Sequence, residues 1–202
     1  MWNREEKLVG SKKRGKLFVL SAPAGTGKTT LIKRLTAEFP EIIQSISYTS
    51  REKRLGETAG VDYHFVTREF FEKKRDRGEF LEFAQVYDDY YGTDSIWVEN
   101  QLELGKHVFL VIDTQGAAKV KARTPATLIF LLPPSMEELA RRLKGRKTEN
   151  PMALAKRLSW AEEEIRKADF YEYHIINDNL DIAYEVLRSI VIAVDHKSFF
   201  IA

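Results

Sequence analysis

No cysteine occurs in the 202 residues. Disulfides and thiolate metal sites are therefore excluded, and a reducing compartment fits. No apolar run approaches the roughly 18 residues that a membrane-spanning helix needs. Residues 1–15 are charged and lack the apolar stretch of a secretion signal, so a soluble, cytoplasmic protein is expected. A charge excess is missing as well: 32 Lys and Arg stand against 30 Asp and Glu, a formal net charge of +2. A dedicated nucleic-acid surface normally shows a strong basic excess, so no nucleic acid, membrane or obligate protein partner is expected. Lys12-Lys13-Arg14 with Lys16 is the one dense basic cluster near a terminus, and it reads as a solvated tail. The four histidines have no metal-ligand spacing. His64 and His174 fall in strand patterns, while His107 and His196 are expected at the surface.

The chain does contain enough apolar residues for a core, with 44% hydrophobic and 11% aromatic content. Its length suits one compact α/β domain with one or two insertions. The most informative stretch is Ser21-Ala22-Pro23-Ala24-Gly25-Thr26-Gly27-Lys28-Thr29-Thr30, directly behind the apolar run Leu17 to Leu20. A strand, a Gly-containing loop and a helix opening near Lys28 to Thr30 make the setting of a phosphate-binding loop. Backbone N–H groups and the helix N-terminus favour phosphate there. Ala22 through Thr30 are accordingly candidate ATP-binding residues, with Lys28 reaching the outer phosphates and the Thr29 hydroxyl toward Mg2+. Ala22 stands where the usual G-x-x-x-x-G-K-[ST] pattern has its first Gly.

Further strands are expected over Val108–Ile112, Thr127–Leu132 and His174–Ile176, short apolar runs bounded by turn residues as in a parallel sheet covered on both faces. Helices are expected between them. Ser135 and Glu138 form a capping box for a helix through about Lys144, and Asn150-Pro151 opens another. A last helix runs from Leu180 to about His196. This alternation predicts a doubly wound α/β core. From Ser50 to Gly92 the rhythm breaks: Val61–Val66 and Glu79–Ala84 read as strands around a short helix at Arg68–Arg77, an insertion presenting a second binding surface.

Phosphoryl transfer requires cations and alignment more than covalent side-chain chemistry. Lys28 supplies one cation. Arg142, Arg146 and Arg157 are candidate transition-state stabilisers, each otherwise an ordinary surface charge. Arg51 and Arg54, three apart in a polar loop, can grip a second phosphate bidentately, and Tyr63 and Tyr91 can add phenolic donors. Glu82, between Leu81 and Phe83, is either a solvent-facing strand residue or a buried carboxylate that needs a donor. The N1–H and N2–H of guanine would suit it, whereas adenine offers no such pair. Asp113 closes an apolar strand, a place where carboxylates meet magnesium or an acceptor nucleotide.

These motifs, in their order from about Lys16 to the last helix, resemble the guanylate kinase family. Ser45-Ile46-Ser47-Tyr48-Thr49-Ser50-Arg51-Glu52-Lys53-Arg54-Leu55-Gly56-Glu57 is similar to its S-x-S-x-T-[ST]-R-x-P-R-x-G-E signature. Gly60-Val61-Asp62-Tyr63, Phe80-Leu81-Glu82, Tyr90-Tyr91-Gly92-Thr93, Asp113 with Gln115-Gly116, Gly145-Arg146, Lys156-Arg157-Leu158 and Asn177-Asp178-Asn179-Leu180 follow its other motifs. Ala22 and Ala24, Lys53 and Val111 replace residues usual in the family, respectively Gly and Ser, Pro, and Asp.

The resemblance implies a P-loop nucleoside-monophosphate-kinase fold and transfer of the γ-phosphate of ATP to GMP, with Mg2+ as cofactor and dGMP as a further acceptor. It divides the chain into a tail (1–14), a core (15–49 with 94–134 and 158–202), a GMP-binding insertion (50–93) and a lid (135–157). It gives Arg51, Arg54, Tyr63 and Tyr91 the GMP phosphate, and Ser47, Glu82, Thr93 and Asp113 the guanine and acceptor positioning. Arg142, Arg146 and Arg157 would close over the phosphates, and Asn177 would contact adenine. A non-catalytic guanylate-kinase-like module that binds phosphopeptides is the alternative. It would carry a damaged ATP loop and flanking domains, whereas Lys28 and Thr29 are intact and 202 residues leave little room. A P-loop kinase for another small acceptor is the third reading, against which Glu82 and Thr93 weigh.

Overall fold

The computed structural model describes residues 8–10, 14–86, 88–144 and 151–197. Its elements are β1 (Leu17–Ser21), α1 (Lys28–Glu38), β2 (Ile42–Gln44), β3 (Tyr48–Thr49), β4 (His64–Phe65), α2 (Arg68–Asp76), β5 (Phe80–Val86) and β6 (Asp89–Asp94). They continue with α3 (Ser95–Glu103), β7 (His107–Val111), α4 (Thr114–Arg123), β8 (Thr127–Leu132), α5 (Met136–Lys144), α6 (Pro151–Arg166), β9 (Tyr173–Ile176) and α7 (Leu180–His196).

Five strands form a parallel sheet in the order β2-β7-β1-β8-β9. The central strand β1 is buried along its whole length, and its period-2 alternation feeds two cores. Phe18 and Leu20 point to one face, where Leu31, Leu35, Ala183, Leu187 and Val191 of α1 and α7 cover them. Leu17 and Val19 point to the other, against Val98, Leu102, Ala117 and Val120 of α3 and α4. The doubly wound α/β core follows from this two-sided burial. It brings the C-terminal ends of β1, β7 and β8 together, the edge where open α/β sheets bind ligands.

A second, four-stranded sheet has the order β4-β3-β6-β5. Phe71 of α2 seals its inner face by stacking on Phe80 at a centroid distance of 4.5 Å and on Tyr90 at 5.3 Å. The expected strand over Val61–Val66 is reduced to His64–Phe65, because the amides of Val61 and Asp62 both return to the Thr58 carbonyl and close a turn (3.2 and 2.9 Å). β2, β3, β6, α3 and α4 arise where the sequence pattern is too short or too polar to announce them. His107 is a correction of another kind: instead of lying at the surface it is 0% exposed. Its Nδ1 accepts the Lys16 amide at 2.9 Å, and its Nε2 stands 3.1 Å from buried Asp195 Oδ1.

Candidate active site

The loop after β1 turns on two glycines. Gly25 has φ 90° and Gly27 φ 98°, a region that costs an L-residue roughly 1–2 kcal/mol. Space also demands them: a Cβ at Gly27 would stand 2.6 Å from Asn177 Nδ2, and one at Gly25 3.0 Å from Leu143. The loop is held from within by the Thr26 hydroxyl, which donates to the Pro23 carbonyl at 2.7 Å. From outside, buried Asn177 donates Nδ2 to the Thr26 carbonyl at 2.6 Å. α1 then starts at Lys28, with Gly27 at its N-cap, so the positive end of the helix dipole faces the loop. Lys28 folds back across the loop and donates to the carbonyls of Ala22 and of Pro23, the latter at 3.2 Å. Thr29 and Thr30 are exposed in the first helical turn. The Thr29 hydroxyl is a hard oxygen donor that fits Mg2+ shared with phosphates and water. Among the described residues no cluster of three or more His, Asp or Glu could hold a metal by itself.

Antiparallel pairing of β5 with β6 sets Glu82 opposite Thr93. Alternation along β5 puts Phe80, Glu82 and Ala84 on the buried face, which decides between the two readings of Glu82: it is 3% exposed. Its Oε1 accepts the Thr93 hydroxyl at 2.6 Å. Burial, with the Asp113 charge adding to it, pushes the Glu82 carboxyl up to about 7 against the pull of Thr93 and Lys119. Asp113 follows β7 and caps α4, accepting the Gly116 amide at 2.8 Å. Burial raises its carboxyl too.

Arg51 is buried and is oriented by three acceptors. Nε donates to the Tyr91 hydroxyl at 3.2 Å, NH1 to the Glu52 carbonyl at 2.6 Å, and NH2 to Glu57 Oε1 at 2.7 Å. The other Glu57 oxygen accepts the Arg54 amide at 2.8 Å, so one carboxylate shapes the whole arginine loop. Tyr63 meets Tyr91 edge-on at 5.7 Å and lies under the Arg51 guanidinium at 5.5 Å. Arg54 is exposed, and Ser47 sits half-buried in the segment leading into β3. The structure thus brings Arg51, Tyr63 and Tyr91 into one cluster.

On α5, Arg142 donates Nε to Glu138 at 2.7 Å and NH1 to the Asn177 carbonyl at 3.0 Å. Hydrogen bonds from Arg141 and Arg142 hold the half-buried Glu138 carboxyl down at about 2. Arg142, Asn177 and Thr26 therefore form a continuous link from α5 to the phosphate loop. Arg157 is half-buried on α6. Arg146 lies outside the described residues.

Three residues found here had no role in the sequence reading. Glu57 organises Arg51 and Arg54, and its position three after Arg54 in a basic loop is a signal that could have shown it. Gly116 lies against the Glu82 carboxylate. Glu164 on α6 has its carboxyl pushed up to about 7 by burial, drawn down by Lys28 and raised further by Asp113. Nothing in the local sequence separates it from its neighbours Glu162 and Glu163. The Asp113 charge raises both Glu82 and Glu164, and Lys28 acts on Glu164, so residues far apart in sequence act on one another here.

Comparison with known proteins shows the family to which the chain belongs. A family model described as guanylate kinase matches residues 14–194. Guanylate kinase of Protochlamydia amoebophila is 54% identical over 190 residues, 94% of this chain and 96% of the relative. That of Syntrophotalea carbinolica is 46% identical over 90% of this chain and 87% of its own. The crystal structure of guanylate kinase from Anaplasma phagocytophilum superimposes with a TM-score of 0.77 at 34% identity, covering 93% of this chain and 89% of that one.

Proposed function

Because the chain belongs to the guanylate kinase family and is a nucleoside-monophosphate kinase, we propose that it transfers the γ-phosphate of ATP to GMP, and to dGMP, giving ADP and the guanosine diphosphate. The observation that carries the choice of acceptor is the buried Glu82 carboxylate. It accepts the Thr93 hydroxyl on Oε1 and is buried, and the paired N1–H and N2–H of guanine would supply the further donors that such a carboxylate needs. Adenine would leave that carboxylate without its donors, a mismatch that costs specificity-level energies in a buried site.

The division of labour follows the fold. Residues 22–30 hold the ATP phosphates, with Lys28 turning from the loop carbonyls to the outer phosphates when they arrive. Asn177 supports the loop from beneath and lies beside the adenine position. Arg51, Arg54, Tyr63 and Tyr91 take the GMP phosphate. Ser47, Glu82, Thr93 and Asp113 take the guanine and orient the acceptor. An oxygen of the GMP phosphate attacks the γ-phosphorus in line, forming one P–O bond as the bond to the β-γ bridging oxygen breaks, and ADP leaves with that electron pair. The acceptor phosphate is already ionised, so no protein base is required. Arg51, Arg142, Arg146 and Arg157 stabilise the charge that spreads over the transferring group. Mg2+, held through Thr29 and the ATP phosphates, would neutralise phosphate charge when bound. Closure of the insertion (50–93) and the lid (135–157) over the core would exclude water and suppress ATP hydrolysis.

A coupled assay with ATP and GMP, dGMP, AMP, CMP or UMP tests this reading. The expected result is turnover of GMP and dGMP at least a hundredfold more efficient than of the others, and equal use of AMP would sink it.

A further inference from the structure

The strand that carries Glu82 lies at the edge of its sheet. Among the described residues β5 pairs with β6 alone, in the order β4-β3-β6-β5, so one row of its backbone groups faces no other strand. The pairing also slips beside Glu82. Phe80 stands opposite Asp94 and Glu82 opposite Thr93, two steps on β5 against one on β6, which makes Leu81 the extra residue of a β-bulge. A bulge bends its strand and re-aims the neighbouring side chains. The carboxylate proposed to read the acceptor base is therefore mounted beside a kink, on a strand that its own sheet holds from one side only.

Helix α4 supplies the other side. Lys119 Nζ donates to the Phe83 carbonyl, and Arg123 NH1 donates to the Leu81 carbonyl at 2.9 Å. These two carbonyls flank Glu82, and one of them belongs to the bulged residue. The Lys119 ammonium also lies over the Phe83 ring, 4.5 Å from its centroid. Gly116, about one turn before Lys119, sets the helix backbone against the Glu82 carboxylate. Positions 116, 119 and 123 follow the i, i+3, i+7 spacing of one helix face, so a single face of α4 meets β5 around Glu82. Leu81 itself packs on the core cluster to which Ala117 and Val120 of α4 belong. Lys119 and Arg123 are exposed, and water can replace an exposed donor, so the fold loses little without them. Their contribution is direction. A charged donor fixes the carbonyl on each side of Glu82, and the Lys119 charge favours the ionised form of the carboxyl between them.

We propose that Lys119 and Arg123 are positioning residues for Glu82, a clamp from α4 that holds the bulged edge of β5 and thereby sets selectivity for guanine. The inference rests on the reading of Glu82 as the guanine acceptor. Its test is Lys119→Ala/Arg123→Ala in the full chain, Ala being the residue that an exposed helix position tolerates best. KM for GMP should rise about three- to tenfold, the scale of losing two modest hydrogen bonds. KM for ATP, and kcat at saturating GMP, should stay within about twofold, a split that general damage to the fold does not produce. Each clamp bond uses one N–H, so Lys119→Arg/Arg123→Lys keeps both and should restore KM for GMP. In a Glu82→Gln background the double alanine substitution should change KM for GMP no further, because the clamp acts through Glu82. Amide exchange of residues 80–86 in the ligand-free protein reads the clamp without any turnover. Protection there should fall in the double alanine variant and return in the exchanged pair, with β1 and β7 protected throughout. Unchanged protection of β5, a parallel rise in KM for GMP and ATP, or an equal effect in the Glu82→Gln background overturns the proposal. A wild type that uses AMP as well as GMP fails the guanine reading, and the clamp's role with it. A GMP-selective wild type whose KM for GMP is indifferent to the double substitution fails the proposal alone.

Discussion

The carboxylate of Glu82 lies against the backbone of Gly116, so that a Cβ there would stand 2.6 Å from Glu82 Oε2. Gly116 also donates its amide to Asp113. The missing side chain is thus what lets β5 and the start of α4 share one small polar chamber. Gly116→Ala has no room, because the Glu82 oxygens are fixed by Thr93 and by burial. The expected outcome is a rise in KM for GMP of about tenfold, the equivalent of ~1.4 kcal/mol, with KM for ATP within twofold. Unchanged GMP kinetics would place the guanine elsewhere.

Glu82→Gln replaces an acceptor-only group by an amide that presents donors to the guanine donors. Losing a hydrogen bond to a charged group costs about 1.5–3 kcal/mol, so kcat/KM for GMP should fall by roughly 10- to 150-fold. Turnover of AMP should not fall with it. Parallel loss of both acceptors would mean that the variant damages the fold, a point circular dichroism and thermal melting can check.

The Glu82 carboxyl, held near 7 by burial, gives two pH signatures. It binds more protons folded than unfolded between about 4.5 and 7, so its contribution to stability falls as pH rises across that window and is level above it. Chemical denaturation at pH 5 and pH 8 should show a smaller loss of stability for Glu82→Gln than for the wild type. GMP binding needs the ionised form. Near pH 6 it should therefore release up to one proton, read as a buffer-dependent binding enthalpy, and KM for GMP should climb as pH falls below about 7.

Lys28→Ala removes the one loop side chain able to follow the outer phosphates. The ground-state bonds to Ala22 and Pro23 carbonyls are internal to the loop, and the core beneath does not depend on them. A fall in kcat of about 10²- to 10³-fold is expected, in line with loss of one transition-state donor, with the melting midpoint little moved. Near-normal turnover would remove Lys28 from the chemistry.

Arg51→Lys keeps the charge and loses the planar fork. Three acceptors now fix that fork, and a lysine cannot reproduce their geometry. KM for GMP should rise about tenfold while KM for ATP stays constant. Glu57→Gln should reproduce a weaker version of the same defect, because Glu57 orients Arg51 and the Arg54 amide together.

The sequence by itself determined the parts whose information is local. An apolar strand followed by Gly25, Gly27 and Lys28 dictates the phosphate loop, because only glycine adopts those positive φ values without strain. The buried runs at Leu17, Val108 and Thr127 dictate a sheet covered on both faces, and Ser135 and Pro151 mark helix starts. Tertiary structure decided what depends on distant partners. Whether Glu82 faced solvent or core turned on its pairing with Thr93 and the approach of α4. His107 became a core residue because Lys16 and Asp195 close over it. Burial raised the Glu164 carboxyl, with Asp113 adding to the rise and Lys28 opposing it, because of where the fold packs α6. Propensity and periodicity act over a few residues, whereas desolvation and electrostatic coupling act between whatever the fold brings within a few ångströms.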